Sequence, residues 1–259
     1  MSNYLVAIGH FAQPSVIELQ AKVIRATCGD IPILVSDDYS ETAFDEAKGV
    51  TEEMAKARKA KLLAVCEREG LIFRHAGDSR IGHAGGDLGA FYHGLIYARD
   101  YGIKYLWKLS QRFIVDIPGW LANECRRMEK FRSIVCSQPC FYGSRARFAF
   151  RTESIGLEVS GKWARPDILD MLRPRVLHDA AEHIIEQAYA KISGGNPFLQ
   201  AKCFGRDRTM ADPDVYWKDN KPEEVTDAAY RSLAEKYGVE LGDEFTVAHS
   251  LSIAGHRWG

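Results

Sequence analysis

The chain has 259 residues, of which 46% are hydrophobic and 27% are charged, which is usual for a globular protein that folds in water. This length suits one large domain that buries enough surface to need no disulfide bonds. With 34 basic and 35 acidic residues, the formal net charge is −1. The composition therefore gives no general field that would attract nucleic acid or an anionic membrane, and any anion must be bound by a local cluster.

The sequence also carries expectations about location. No stretch approaches the roughly 18 consecutive apolar residues of a membrane span. Residues 1–9 lack the basic start and long apolar run of a secretory signal and predict a first strand instead. Six cysteines are scattered along the chain, and Cys136 and Cys140 have no second pair at the spacing of a zinc site. We expect reduced thiols and a cytoplasmic protein with no transmembrane segment.

Strands and helices alternate through the first half of the chain. A strand, a helix and a strand within about 35 residues form a βαβ unit, which implies neighbouring parallel strands. The predicted strands are 4–8, 31–36, 71–74 and 103–109, and the predicted helices are 16–28, 51–69, 88–100 and 120–130.

The second half is less regular. No internal repeat, low-complexity tract or linker divides the chain, so we predict one domain over 1–259. Alternation followed by a mixed second half favours an α/β fold with a mostly parallel open sheet flanked by helices. The predicted strands are 133–137 and 148–152, and the predicted helices are 166–172, 176–192 and 222–237.

Polar residues follow three of the predicted strands. A Gly-His-Phe run at 9–11, an Asp-Asp pair at 37–38 and a Ser-Gln-Arg run at 110–112 each end a strand. In open α/β sheets, ligands bind beyond the carboxyl ends of the strands. We therefore expect these three segments to lie side by side in one crevice.

Four segments together resemble the GT-A glycosyltransferases. An apolar strand that ends in Asp-Asp-Tyr-Ser, at 33–40, is similar to the second-strand motif of that family, Asp-Asp-x-Ser. A glycine-bearing segment at 82–87, a Gly-Leu-Ile-Tyr-Ala run at 94–98 and a strand at 105–109 follow in the family's order.

The resemblance covers about residues 4–121 and implies a GT-A-like, Rossmann-related fold. It implies a nucleotide-binding half, 1–121, and an acceptor half with a C-terminal tail, 122–259. The implied activity is that of a hexosyltransferase-like glycosyltransferase in polysaccharide biosynthesis. Such an enzyme moves a sugar from a nucleotide-diphosphate donor to the hydroxyl of a glycan or lipid-linked acceptor, and no nucleic acid is implied.

By the same resemblance, the ends of the first two strands would bind the nucleotide. Asp37 or Asp38 would accept hydrogen bonds from the base or ribose, because carboxylates are pure acceptors. The alternative is that the pair only ends a strand and starts a turn. Beyond Gly9, Phe11 could stack on the base and His10 could donate to a phosphate, with a plain loop histidine as the alternative.

The glycine-rich segment at 82–87 is assigned to the sugar. It is not the dinucleotide fingerprint Gly-x-Gly-x-x-Gly, but glycines let a ligand approach the backbone closely. We expect His83, Gly85, Gly86 and Asp87 to contact the sugar. The alternative is a tight turn before a helix, with Asp87 as its cap.

The chain departs from the family where metal-dependent members carry Asp-x-Asp. That motif holds a divalent cation, Mn or Mg, against the diphosphate, whereas this chain has Leu-Ser-Gln-Arg at 109–112. We expect no metal ligands of that kind, with Asp116 as an alternative. Arg112, with Lys108 and the nucleotide-binding Arg80 nearby in the pattern, would supply positive charge, because a guanidinium binds phosphate oxygens bidentately.

An inverting transferase also needs a base to take the proton of the acceptor hydroxyl. The resemblance places an acidic residue near a helix start in the second half, where Asp179 and Glu182 lie three apart on one helical face. Glu153 is a rival, and a solvated face or a salt bridge is the alternative for all three. The predicted catalytic residues are Asp179 or Glu182 as base and Arg112 as stabiliser of the leaving diphosphate.

The C-terminal stretch at 249–259 is predicted to fold back over the crevice, with a frayed tail as the alternative. Two other functions stay open. The missing Asp-x-Asp supports a catalytically inactive GT-A-like module that binds a nucleotide sugar or glycan. A sugar nucleotidyltransferase ranks last, because the segment at 9–13 lacks the charged glycine-rich loop of that class.

Overall fold

The computed structural model describes residues 2–45, 49–111, 113–140, 149–177, 181–194, 200–202, 223–245 and 252–254. The strands are β1 (Tyr4–His10), β2 (Ile33–Asp37), β3 (Ile72–His75), β4 (Tyr105–Ser110), β5 (Phe113–Val115), β6 (Val135–Cys140), β7 (Ala149–Glu158), β8 (Gln200–Lys202) and β9 (Ser252–Ala254). The helices are α1 (Pro14–Cys28), α2 (Glu52–Arg68), α3 (Gly82–Asp100), α4 (Trp120–Lys130), α5 (Pro166–Met171), α6 (Ala181–Ser193) and α7 (Glu223–Lys236).

Seven of the described strands form one open sheet in the order β3-β2-β1-β4-β7-β6-β8. Only β7 runs against its neighbours β4 and β6, and the other described pairs in this sheet are parallel. The order β3-β2-β1-β4 matches the first four strands of the doubly wound sheet order 3-2-1-4-5-6. The predicted α/β fold with a mostly parallel, Rossmann-related open sheet is confirmed.

The sheet has a hydrophobic core on each face. Successive strand residues point to opposite faces, so Val6 and Ile8 of β1 pack with α1, α2 and α4, whereas Leu5 and Ala7 pack with α3, α5 and α6. Both cores consist of fully or nearly fully buried side chains. Among the described helices, none is both long enough and apolar enough to cross a membrane.

Helix α7 and strand β9 bring the C-terminal part of the chain back to α1 and β5, and β5 and β9 form a second, two-stranded sheet. A third hydrophobic cluster packs Tyr230 of α7 against Val16 of α1 and Ile114 of β5. Strand β9 pairs in parallel with β5, which lies just after the end of β4. Within the C-terminal stretch predicted to fold back over the crevice, residues 252–254 thus pair with β5, and the rest of that stretch lies outside the described residues.

Helix α3 begins at Gly82, earlier than the predicted start at residue 88. Its glycines allow close packing on the strands, which offsets their low helix propensity. A Cβ on Gly89 would lie 2.7 Å from the Cβ of Ala76, and one on Gly94 would lie 2.8 Å from Leu106. The glycine-rich segment is therefore the first turns of a helix and not a loop that leads to one.

Candidate functional site

The register of the sheet brings the polar strand ends together. His10 of β1 lies opposite Asp37 of β2, which lies opposite His75 of β3, and Gly9 lies opposite Ser110 of β4. These strands are parallel, so their carboxyl ends share one edge. The expected convergence of 9–11, 37–38 and 110–111 is confirmed.

Asp37 is fully buried and is held entirely by the protein. Its Oδ1 lies 2.7 Å from Nδ1 of His10, and its Oδ2 lies 2.5 Å from Nζ of Lys59 and accepts a 3.2 Å hydrogen bond from the amide of Ser40. Burial alone would raise the pKa of Asp37, but the hydrogen bond from His10 and the ammonium of Lys59 outweigh it and hold the pKa well below its ordinary value. The carboxylate is ionised and already has partners on both oxygens.

His10 has both ring nitrogens engaged. The amide of Gln13 donates to Nε2 over 3.1 Å, so Nδ1 carries the proton that is donated to Asp37. The side chain of His10 is fully buried. His10 is thus a positioning group between a strand end and a turn, with no ring nitrogen left for the phosphate contact that the resemblance implied.

Asp38 faces the other side of the sheet and differs from its neighbour. Its Oδ1 accepts a 2.8 Å hydrogen bond from the amide of Ile81 at the start of α3, whereas its Oδ2 is buried and has no hydrogen-bond partner among the described residues. Burial raises the pKa of Asp38, although the amides of Ile81 and Gly82 and the charge of Arg80 act in the opposite direction. At the edge of the sheet, one buried acceptor atom therefore lacks a hydrogen-bond partner among the described residues.

An aromatic ring and a cation lie beside Asp38. The guanidinium of Arg80 lies 5.0 Å from the centroid of the Phe11 ring and donates to the carbonyl of Thr42 over 3.3 Å. The amide of Phe11 donates to Oε1 of Gln111 over 2.7 Å, and the amide of Gln111 donates to the carbonyl of Gly9 over 3.1 Å. Gln111 thereby ties the turn after β1 to the end of β4.

Three of the predicted sugar contacts, Gly85, Gly86 and Asp87, have structural roles at the start of α3. Asp87 lies within α3, which begins at Gly82, so it is not a helix cap. It forms an ion pair with Lys108, whose side chain is fully buried. A Cβ on Gly9 would lie 3.3 Å from Oδ1 of Asp87. Gly9 therefore lets α3 approach β1.

Gly85 and Gly86 also serve close packing. A Cβ on Gly85 would overlap the carbonyl oxygen of Arg175, and one on Gly86 would lie 3.2 Å from the Cβ of Asp38. Packing accounts for both glycines, and the sugar contacts of these residues, like that of Asp87, stay predictions.

The predicted catalytic residues Arg112 and Asp179 lie outside the described residues, as do the side chains of His83 and Glu153. Glu182 is described and is half-buried in the first turn of α6, a helix that packs on α3 and β7. The catalytic roles stay predictions.

Asp116, the alternative metal ligand, is engaged by side chains near the C-terminal end of α7. Asp116 is held by α7 and the residue that follows it, since its carboxylate lies 2.7 Å from Nζ of Lys236 and 2.5 Å from the hydroxyl of Tyr237. Within the described ranges, no group of three or more His, Cys, Asp or Glu side chains is placed to hold a metal ion.

Sequence reasoning missed Lys59, although its position carried information. Lys59 lies on the inner face of α2 with Ala55, Leu62 and Cys66, all of which are buried. A lysine within an apolar stripe is rarely buried unless a carboxylate pairs with it. The pattern could have indicated a buried acidic partner, but the sequence does not say which one.

No family model matches the chain, and no curated protein matches it. Solved structures with similar folds include a cytidylyltransferase from Leptospira borgpetersenii, 12% identical over 94% of this chain and 89% of that one, with a TM-score of 0.47. A mannosyltransferase from Pyrobaculum calidifontis, in complex with GDP-Man and Mn²⁺, is 12% identical over 80% of this chain and 58% of that one, with a TM-score of 0.45. The galactosyltransferase LgtC with donor and acceptor sugar analogues is 12% identical over 92% of this chain and 95% of that one, with a TM-score of 0.43. The chain spans little more than half the length of the mannosyltransferase.

Proposed function

We propose that this chain is a glycosyltransferase that moves a sugar from a nucleotide-diphosphate donor to the hydroxyl of a glycan or lipid-linked acceptor. The observation that carries the proposal is Asp38, a buried carboxylate with one oxygen fixed by the amide of Ile81 and the other without a partner among the described residues. A buried acceptor left unpaired costs free energy, so it marks a place where a ligand can supply a donor. Nucleotides carry such donors on the base and on the ribose.

The neighbours of Asp38 suit the rest of a nucleotide. The ring of Phe11 offers a flat apolar face on which a base can stack, as aromatic rings do. Arg80 is exposed and lies over the same ring, where its guanidinium can reach an anionic phosphate. An acceptor, an aromatic face and a cation thus lie together at the carboxyl end of a parallel sheet, which is the usual ligand position in this architecture.

In the proposed reaction, the acceptor oxygen bonds to the anomeric carbon as the bond from that carbon to the diphosphate oxygen breaks. Asp179 or Glu182 would take the acceptor proton, and Arg112 would stabilise the charge of the departing diphosphate. Lys108 is already paired with Asp87, so we assign it no phosphate contact. This scheme needs no metal ion.

Calorimetric titration with UDP, GDP and CDP, each with and without Mn²⁺, tests the binding step. We expect at least one diphosphate to bind without Mn²⁺, and Phe11→Ala to weaken it about tenfold, since stacking on an aromatic ring is worth about 1–3 kcal/mol per base. Phe131→Ala is the matched control, because Phe131 is 58% exposed and follows α4, at the opposite edge of the sheet.

Turnover of the corresponding nucleotide sugars then separates the candidate functions. Release of the diphosphate with transfer to a glycan acceptor supports the proposal. Tight binding without transfer or hydrolysis favours the inactive binding module. Binding of no nucleotide, with or without metal, would overturn the proposal.

A further inference from the structure

Two turns border the candidate site, and each contains a residue in an unfavourable backbone conformation. Ala12, in the turn after β1, has φ of 58°, and Tyr39, in the turn after β2, has φ of 52°. Residues with a Cβ rarely adopt positive φ, so other contacts must hold both turns. These turns follow Phe11 and Asp38, the residues to which we assign nucleotide contacts.

Asp37 fixes both turns through its two oxygens. Oδ1 orients His10, whose Nε2 accepts from the amide of Gln13, directly after Ala12. Oδ2 accepts from the amide of Ser40, directly after Tyr39. One buried carboxylate thus determines the geometry on both sides of the crevice.

Together with His10, Lys59 favours the ionised form of that carboxylate inside the protein. Its ammonium lies 2.5 Å from Oδ2 of Asp37 and 3.2 Å from the carboxylate of Glu41, and 4.6 Å from the centroid of the Phe73 ring. A buried carboxylate without a cation would tend to take up a proton, and a protonated Asp37 would be a weaker acceptor for His10 and Ser40. Lys59 itself lies on α2, away from Phe11 and Asp38 in the chain.

We infer that Lys59 is a positioning residue, which acts through Asp37 and His10 to hold the turns 11–13 and 38–40 in the geometry that binds the nucleotide. The identity of that ligand rests on the proposed function. A residue of this kind organises the site before binding, so its loss lowers donor affinity and leaves the chemical step unchanged.

The test compares Lys59→Met with Lys59→Arg, which restores a cation, and with Lys56→Met. Lys56 is the matched control because it lies on the same helix but is exposed and pairs only with Glu52 among the described residues. The first measurement is amide hydrogen exchange in the protein without nucleotide. In Lys59→Met, exchange at the amides of Gln13 and Ser40 should be about tenfold faster than in the wild type, beyond any change in the central strands.

The second measurement is affinity and turnover. Lys59→Met should weaken binding of whichever of UDP, GDP and CDP binds most tightly about tenfold, and should raise the KM of the matching sugar donor, with kcat changed by less than about threefold. Lys59→Arg should recover most of the loss, and Lys56→Met should resemble the wild type in both measurements.

Three results would overturn the inference: unchanged exchange at both turns, equally faster exchange throughout the sheet, or a fall in kcat with KM unchanged. If the wild type binds none of UDP, GDP and CDP, with or without Mn²⁺, the proposed function fails separately. The exchange measurement then still decides whether Lys59 positions the two turns.

Discussion

Replacement of Asp38 by Asn is expected to stabilise the protein without ligand and to weaken nucleotide binding. The side-chain oxygen of Asn can accept the hydrogen bond that Asp38 accepts from the amide of Ile81, so α3 keeps this contact at its start. The change removes a buried charge that lies next to the ionised Asp37 and has one oxygen without a partner among the described residues. The same change removes the acceptor that we assign to the nucleotide.

The size of the gain follows from the burial. A buried polar atom without a partner costs about 1–3 kcal/mol. The amide group of Asn is also polar and fills the same place, so only part of this cost is recovered, and we expect a gain of about 1 kcal/mol at pH 7. Burial raises the pKa of Asp38 above the ordinary 3.8. At a pH between the ordinary pKa and the raised pKa of the folded protein, Asp38 is protonated in the folded chain and ionised in the unfolded chain. The wild type therefore loses stability as the pH rises through that window. The advantage of Asp38→Asn should be full at pH 7 and should disappear as the pH falls below about 4.

Urea unfolding of both proteins at pH 7 and pH 3.5, with calorimetric titration of the nucleotide at pH 7, measures these quantities. Asp38→Ala is the control, since it removes the contact with α3 as well and should cost about 1–2 kcal/mol. If Asp38→Asn is less stable than the wild type by the same amount at both pH values, the carboxylate serves the fold. The assignment to the nucleotide would then lose its support.

Three further predictions concern stability and reactivity. Gly156→Ala should destabilise the fold by about 3 kcal/mol in urea unfolding, because the new Cβ would overlap the fully buried ring of Trp107, and a cost below about 1 kcal/mol would show that the ring can move. Burial raises the pKa of Cys66 to about 11, so iodoacetamide at pH 8 should label it about a hundredfold more slowly than in the unfolded chain, as measured by peptide mass spectrometry. The carboxylate of Glu244 pairs with Lys61, and despite burial its pKa lies below the ordinary 4.5. Glu244→Gln should therefore cost about 1–2 kcal/mol at pH 7, and the cost should shrink as the pH falls below about 4.5, whereas a pH-independent cost would contradict the charged pairing.

The alternation of strands and helices was enough to predict the first half of the fold. Buried parallel strands read as short apolar runs, and β1, β2 and β4 each appear in the sequence in that form. The predicted start of α3 was wrong because the low helix propensity of glycine, taken alone, disfavours a helix at 82–87. Contacts such as that between Gly89 and Ala76 decide the outcome, and they exist only once the helix lies on the sheet.

The candidate site could be located from the sequence, but the roles within it could not be divided. Polar residues at the carboxyl ends of parallel strands lie at the same edge of the sheet, whichever contacts their side chains make. The distinction between Asp37 and Asp38 depends on which helix covers each face, and on a lysine of α2 that follows Asp37 by 22 residues. The sequence likewise predicts that His10 donates a hydrogen bond to a phosphate, whereas in the structure both of its ring nitrogens are engaged.

Two adjacent acids at the end of a strand are therefore not equivalent ligands. Side chains alternate between the faces of a sheet, so one acid of such a pair faces the helix layer on one side and the other acid faces the layer on the opposite side. Here Lys59 of α2 meets Asp37, whereas the start of α3 meets Asp38 and offers it backbone amides and no buried cation. A cation satisfies and fixes the first acid, while amides satisfy one oxygen of the second and leave the other for a ligand. We therefore infer that the inward lysine engages Asp37 and leaves Asp38 for the nucleotide contact that we propose.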